Sequence, residues 1–459
     1  MYINFYKKNF IKLNYLRFLF YIFPVMMLTS SGYITFYVSV LSFFSIFFFY
    51  KNKIKIKLFL IDYCVLIFFL LSILTSLINI NGNEIIIFIK SILDLRFFLF
   101  FLIIRNIIKY KLVNIKILFL ICLISSVFLI LNIFSQHVFG FDIFGHPPFA
   151  GRFNGLFESE AIAGSYIQKL SILSILSIIL LDITKVKKKL LILFIINILG
   201  IGVLLTFDRM PFFIYSFGIL ISIILIKNLR LNLLVSFLIL ILSTSILFKN
   251  YEILYDRYSI LKYQISIEKI TNLIQKLKNN NFSYSSSLPD NNRKTESKEI
   301  LISGDYIKLY YSAYYVWLNN PLLGSGVKSF GRECLKLVNN ANINIKNVNC
   351  NTHPHNIYLE ILVNIGSIGM LTFLLIIFLI LKDILNNIDL KKINNQKSIL
   401  NIFFLIILVV ELIPIRSYGS IFQTVNGSMF WFIVSLMSSA KWIELNKILY
   451  FFNKKLKFQ

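Results

Sequence analysis

The chain has 459 residues, 57% of them hydrophobic and only 15% charged, with a formal net charge of +26. A soluble domain carries roughly 25% charged residues. That contrast, with a mean hydropathy of +0.76, excludes an ordinary soluble protein. The positive charge does not point to nucleic acid, because the basic residues cluster between apolar runs, as in "KNKIKIK" at 51–57, "RNIIKYK" at 105–111, "KVKKK" at 185–189 and "KKLK" at 454–457.

Taken in chain order, apolar runs lie near 13–30, 33–50, 58–79, 85–104, 115–135, 161–181, 190–207, 211–226, 231–248, 356–381, 399–413 and 425–442. A helix of about 20 residues crosses roughly 30 Å of hydrocarbon and satisfies its own backbone hydrogen bonds. The expected fold is therefore all-α: a single polytopic membrane domain over 1–459 with about twelve transmembrane helices. The first run follows Lys7, Lys8 and Lys12 without a small-x-small cleavage site, and reads as a first span. Basic connections alternate with connections nearly devoid of Lys and Arg, which places both termini in the cytoplasm. The charge then reports topology and contact with anionic membrane lipids.

The large connection 249–355, between the ninth and tenth spans, is expected outside. Its stretch 252–278 has the spacing of an amphipathic surface helix, 279–299 is polar, and "YIKLYYSAYYVWLNNPLLGSG" (306–326) gives an aromatic helix that stops before Pro321. Cys334 and Cys350 both fall in this connection and can pair if the compartment is oxidising; the alternative is two loop thiols. Cys64 and Cys122 fall inside spans.

All four histidines, His137, His146, His353 and His355, map outside, as do Arg152, Arg209, Arg257 and Arg416. Guanidinium groups match a diphosphate with a bidentate fork, so arginines gathered at the outer leaflet suit a lipid-linked pyrophosphate; snorkelling or structural ion pairing is the plainer alternative. In "CNTHPHNIYLEILVNIG" (350–366), Pro354 opens a span with His355 at its mouth, where an imidazole can serve as general base. Asn356, Glu360, Asn364 and Ser367 follow at helical spacing as a polar stripe, which either supports a site or bonds neighbouring helices. Gly366 and Gly369 read as close helix packing. A His-x-His turn can hold a metal, with His137 or His146 adding ligands, yet no tight His/Asp/Glu cluster accompanies it, so neither metal nor cofactor is expected. No nucleophile motif and no Walker loop occur.

At these residues the chain resembles the O-antigen ligase/O-antigen polymerase superfamily of integral membrane glycosyltransferases. The likeness spans roughly 150–440 and rests on "GRFNGLFESEAIAGSYI" (151–167), "LLTFDRMPFFIYSFGIL" (204–220), "NNPLLGSGVKSFGREC" (319–334) with "CNTHPHNIYLEILVNIGSIGM" (350–370), and "IPIRSYGSIFQTVNGSMFW" (413–431). The resemblance implies a large periplasmic loop in the bacterial inner membrane. It also implies metal-independent transfer of a glycan from undecaprenyl diphosphate to an acceptor hydroxyl, in lipopolysaccharide or other surface polysaccharide biosynthesis. The acceptor is lipid A-core for a ligase and a second lipid-linked glycan for a polymerase. Carried over residue by residue, it makes His355 the base, Arg152 and Arg209 diphosphate binders, and Arg257 and Arg416 weaker candidates for the same role, with Asn356 and Glu360 in support. Many members carry an arginine where this chain has Tyr306. The competing readings are a lipid-linked glycan flippase or other transporter, and a non-catalytic membrane scaffold.

Overall fold

The computed structural model describes residues 10–80, 85–158, 160–181, 183–251, 254–255, 258, 304–339, 348–389, 395–414 and 416–445, with backbone alone at 10, 304–307 and 339. The amphipathic helix expected over 252–278 lies outside these apart from Leu254, Tyr255 and Tyr258, and so do the tract 279–299 and Arg257. Among the described residues the chain is helical, its one β feature an isolated bridge between Phe149 and Arg152. An α-helical polytopic membrane protein is thus the fold.

The apolar runs become α1 (Phe10–Tyr21), α2 (Phe23–Met26), α3 (Ser31–Lys51), α4 (Leu60–Ile78), α5 (Ile85–Leu93), α6 (Leu95–Lys109), α7 (Ile115–Phe139), α8 (Ala163–Ile179), α9 (Lys185–Leu205), α10 (Arg209–Leu225) and α11 (Arg230–Asn250). The large connection supplies α12 (Gly304–Asn319) and α13 (Phe330–Asn339), and α14 (Ile357–Asn386), α15 (Gln396–Glu411) and α16 (Thr424–Ser438) complete the bundle. Among the described residues six helices, α3, α4, α7, α9, α11 with its preceding 3-10 turn, and α14, are each long and apolar enough to cross a membrane. Shorter apolar helices α8, α10 and α16 pack among them.

Two expected spans are broken. The run near 13–30 divides between α1 and α2, because Pro24 has no N–H to donate and is accommodated only in a first turn. The run near 85–104 divides at Asp94, buried between α5 and α6, whose carbonyl accepts from Phe97 N–H at 2.9 Å. Local caps fix other ends. Asn114 accepts from Lys116 N–H at the start of α7, and Gly140 closes that helix at φ 80°.

Packing is aromatic where α16 meets its neighbours. Trp431 contacts Phe68, Phe69, Phe101 and Phe430, and Phe23 stacks on Phe432 with centroids 3.9 Å apart. Between helices in lipid, such van der Waals fit and buried polar bonds stand in for a hydrophobic driving force. Asp62 and Arg105 form one such buried pair between α4 and α6.

The segment 321–327 enters the bundle between α4 and α14. Ser325 N–H donates to Val363 O at 2.8 Å, Gly326 N–H to Asn364 O at 3.0 Å, and Ser367 N–H to Pro321 O at 2.9 Å. Ser76 Oγ accepts from Val327 N–H at 3.0 Å. The helix opens to receive this segment at Gly366, with φ 71° and ψ −168°, a region essentially reserved for glycine. A Cβ there would lie 2.2 Å from Leu322 O. Gly366→Ala is therefore expected to destabilise the protein by about 2–4 kcal/mol, read as an earlier thermal loss of the monodisperse species in detergent. An unchanged transition would contradict the backbone contact. Gly366 thus serves close packing, against an entering loop rather than against a helix.

Candidate active site

The N-termini of α8, α10 and α14 and the C-terminus of α15 meet at one end of the bundle. Arg152 reaches this end on a tight turn in which Ala150 and Gly151 take φ 50° and 67°, and its backbone exchanges hydrogen bonds with Phe149 at 3.0 and 3.1 Å. Its Nη1 lies 3.2 Å from Asp208 Oδ1. Asp208 is the residue before α10, and Arg209 opens that helix. Two arginines therefore stand at the positive end of a helix, a setting that favours an anion. Gly164, in the first turn of α8, packs against this group; a Cβ on it would lie 2.6 Å from Thr206 Oγ1 and 3.2 Å from Asp208 Cβ.

One turn further along α8, about 6 Å, Gln168 Oε1 accepts from Arg416 at 3.0 Å. Arg416 is buried and pairs with Glu411 at 2.9 Å. Glu411 also accepts from Tyr418 Oη at 3.0 Å, and the ammonium of buried Lys169 sits 4.7 Å from the Tyr418 ring centroid. Tyr418 N–H then donates to His355 O at 2.8 Å. Contacts thus run continuously from Asp208 to His355 through α8 and the 411–418 turn.

His355 holds a left-handed backbone, φ 51°, beside buried Pro354. Its Nε2 lies 3.3 Å from Asn351 Nδ2, and its ring centroid is 4.1 Å from that of His353. Burial lowers the His355 pKa below its ordinary value of 6.5. Burial first, and then the neighbouring His355, bring His353 down to about 4. Both imidazoles are held neutral near pH 7, the state in which a histidine accepts a proton.

Asn356 and Glu360 fix this arrangement. Asn356 accepts from Tyr358 and Leu359 N–H at the start of α14 and donates Nδ2 to Pro414 O at 2.6 Å. Glu360 accepts from Ile421 N–H at 3.1 Å. Both side chains therefore bind the 414–421 turn to α14. A disulfide joins Cys334 and Cys350, with Cα atoms 5.5 Å apart, immediately before the His353–His355 turn. Closing a loop of this size stabilises by about 3 kcal/mol on chain-entropy grounds.

The expected site residues fall into two linked groups: Arg152 and Arg209 in one, His355, Asn356, Glu360 and Arg416 in the other. Arg257 lies outside the described residues, as does the side chain of Tyr306. Arg416 is committed to Glu411 and Gln168. The other two histidines stand apart from His355. His146 faces Asp142 at 3.1 Å and Glu158 at 3.2 Å, and His137 packs among Phe153, Phe207 and Tyr251. Among the described residues no group of three or more His, Cys, Asp or Glu is arranged to hold a metal.

Sequence reasoning passed over Lys169, Glu411 and Tyr418. Lys169 and Glu411 each carry a signal, a lone charge in an apolar run; nothing local marks Tyr418.

Residues 170–374 match the family model for O-antigen ligase. No curated protein matches the chain. The O-antigen ligase match supports the O-antigen ligase/polymerase superfamily and a glycosyltransferase-like enzyme that acts on lipid-linked glycans. It includes Arg209, Arg257, His355, Asn356 and Glu360, while Arg152 and Arg416 flank it.

Proposed function

We propose that the protein transfers a glycan from undecaprenyl diphosphate to an acceptor hydroxyl at the outer face of the bacterial inner membrane. The observation that carries this reading is the contact path from the Arg152–Asp208–Arg209 group to His355, built at one end of the bundle. The alternation of basic connections in the sequence supports a His355 that faces the periplasm and termini that are cytoplasmic.

The reaction is a single displacement without a metal. His355 takes the proton of the acceptor hydroxyl, whose oxygen bonds the anomeric carbon as the sugar–phosphate bond breaks. Arg152 and Arg209 bind the departing diphosphate, with the N-terminus of α10 adding to the favourable field. Asp208 orients Arg152, and the Glu411–Arg416–Tyr418 cluster holds the His355 carbonyl; this assigns Arg416 a positioning part first. Asn356 and Glu360 keep the turn and helix together, and the Cys334–Cys350 bridge restrains the chain on the other side.

Removing the protein from its cell tests the reading. The expected result is altered surface glycan: full-length polymer stranded on the lipid carrier when lipid A-core is the acceptor, or core bearing a single repeat when the acceptor is a second lipid-linked glycan. Unchanged surface and carrier-linked glycan would overturn it.

A further inference from the structure

A second group of cations lies across the 414–424 turn from Arg416. It gathers at the break between α5 and α6 and draws on Lys90, Arg96 and Lys328. Arg96 Nη2 donates to Thr424 Oγ1 at 3.0 Å, on the first residue of α16, and lies 3.9 Å from Asp94 Oδ1. Its Nε is buried with no hydrogen-bond partner. Lys328 follows the entering segment 321–327 directly and is held at φ 59°. Asp94, Lys90, Arg96 and Glu360 are the charged groups around it. Lys90 and Lys328 are both exposed and make no ion pair or hydrogen bond among the described residues.

The charge balance is uneven. Asp94 and Glu360 are the carboxylates here, and both are buried, 2% and 3% exposed. Glu360 is already engaged by Ile421 N–H. The two lysines therefore add positive charge to a site whose negative charge is enclosed. On the same helix as Lys90, Ile85, Ile86, Ile89 and Ile92 are exposed, which marks this edge of the bundle as lipid-facing. An unpaired ammonium among lipid-facing isoleucines is costly in hydrocarbon and relieved by a phosphate at the headgroup boundary.

We propose that Lys90, Arg96 and Lys328 form a binding site for the phosphate of a membrane lipid, distinct from the Arg152/Arg209 group. The two sites lie on opposite sides of the turn whose Tyr418 holds His355 and whose Ile421 is held by Glu360. Resting on the reading above, the site would seat a phosphate-bearing second substrate on the far side of His355 from the donor. The same chemistry would also take a bulk phospholipid headgroup.

The test is calorimetric titration of the purified full-length chain, in neutral detergent, with farnesyl diphosphate. The wild type is expected to show two classes of site. Lys90→Gln with Lys328→Asn, the asparagine tolerating the left-handed backbone, is expected to weaken one class roughly thirtyfold, from about a fivefold loss per cation, and to leave the other intact. Arg209→Ala is expected to remove the other class. Phosphatidylglycerol that displaces the lysine-dependent class assigns it to bulk lipid; failure to displace assigns it to a substrate lipid; either result retains the site. A wild type with one class, or two classes unchanged in the double variant, overturns the proposal. Two classes unchanged in Arg209→Ala would count against the donor assignment without touching this one.

Discussion

Replacing His355 with alanine is expected to lower glycan transfer by about 10²–10⁴-fold, the usual worth of a positioned general base, while the variant still inserts and folds. The side chain is partly accessible, and its backbone carbonyl, which bonds Tyr418 N–H at 2.8 Å, is untouched by the change. The pH dependence has a definite sign. Burial lowers the His355 pKa below 6.5, and a base works only when unprotonated. Transfer by the wild type should therefore rise as pH increases through a midpoint below 6.5 and be level by neutral pH. The variant's residual rate should lack this limb. His353→Ala separates the pair: His353 is neutral down to about pH 4, so its loss should leave the limb in place. A limb centred at or above pH 7, or a His355→Ala enzyme at wild-type rate, would remove His355 from the chemistry.

Arg209→Ala should cost about 10²–10³-fold in kcat, the range found when one preorganised group that stabilises developing charge is removed. Arg209 is the first residue of α10, so the backbone amides there still point toward the anion and residual activity should remain. Arg152→Ala should cost less, because Asp208 already offsets part of its charge at 3.2 Å. Lysine at 209 should recover only part of the loss, since an ammonium cannot make the planar double contact. Measured as separate kcat and KM on a defined lipid-linked donor, the defect should be concentrated in kcat. A pure KM effect would make these arginines ground-state anchors.

Composition and charge spacing alone located the bundle, and for a physical reason: hydrocarbon leaves little choice but a helix wherever about 20 apolar residues occur. The same rule misses interruptions. Pro24 announces its break, but the break at Asp94 falls in a run with no proline or glycine to announce it. His355 was legible because Pro354 and the following polar stripe mark a helix mouth. Tyr418, which holds the His355 carbonyl, was not, since one main-chain hydrogen bond leaves no compositional trace. Asn356, Glu360 and Arg416 drew attention as polar groups near a membrane boundary, and the structure shows what each binds: Pro414 O, Ile421 N–H, and Glu411 with Gln168. Buried charges such as Lys169 and Arg105 exist as clustered or paired groups.

The most direct test is transfer by the purified protein in proteoliposomes that contain an undecaprenyl-diphosphate-linked glycan and an acceptor, with a chelator present, scored for both joined glycan and released undecaprenyl diphosphate. The account predicts one undecaprenyl diphosphate released for each glycan joined, and both signals lost together in His355→Ala. Joined glycan at wild-type rate from His355→Ala, or transfer that stops in chelator and returns with a divalent metal, would contradict it.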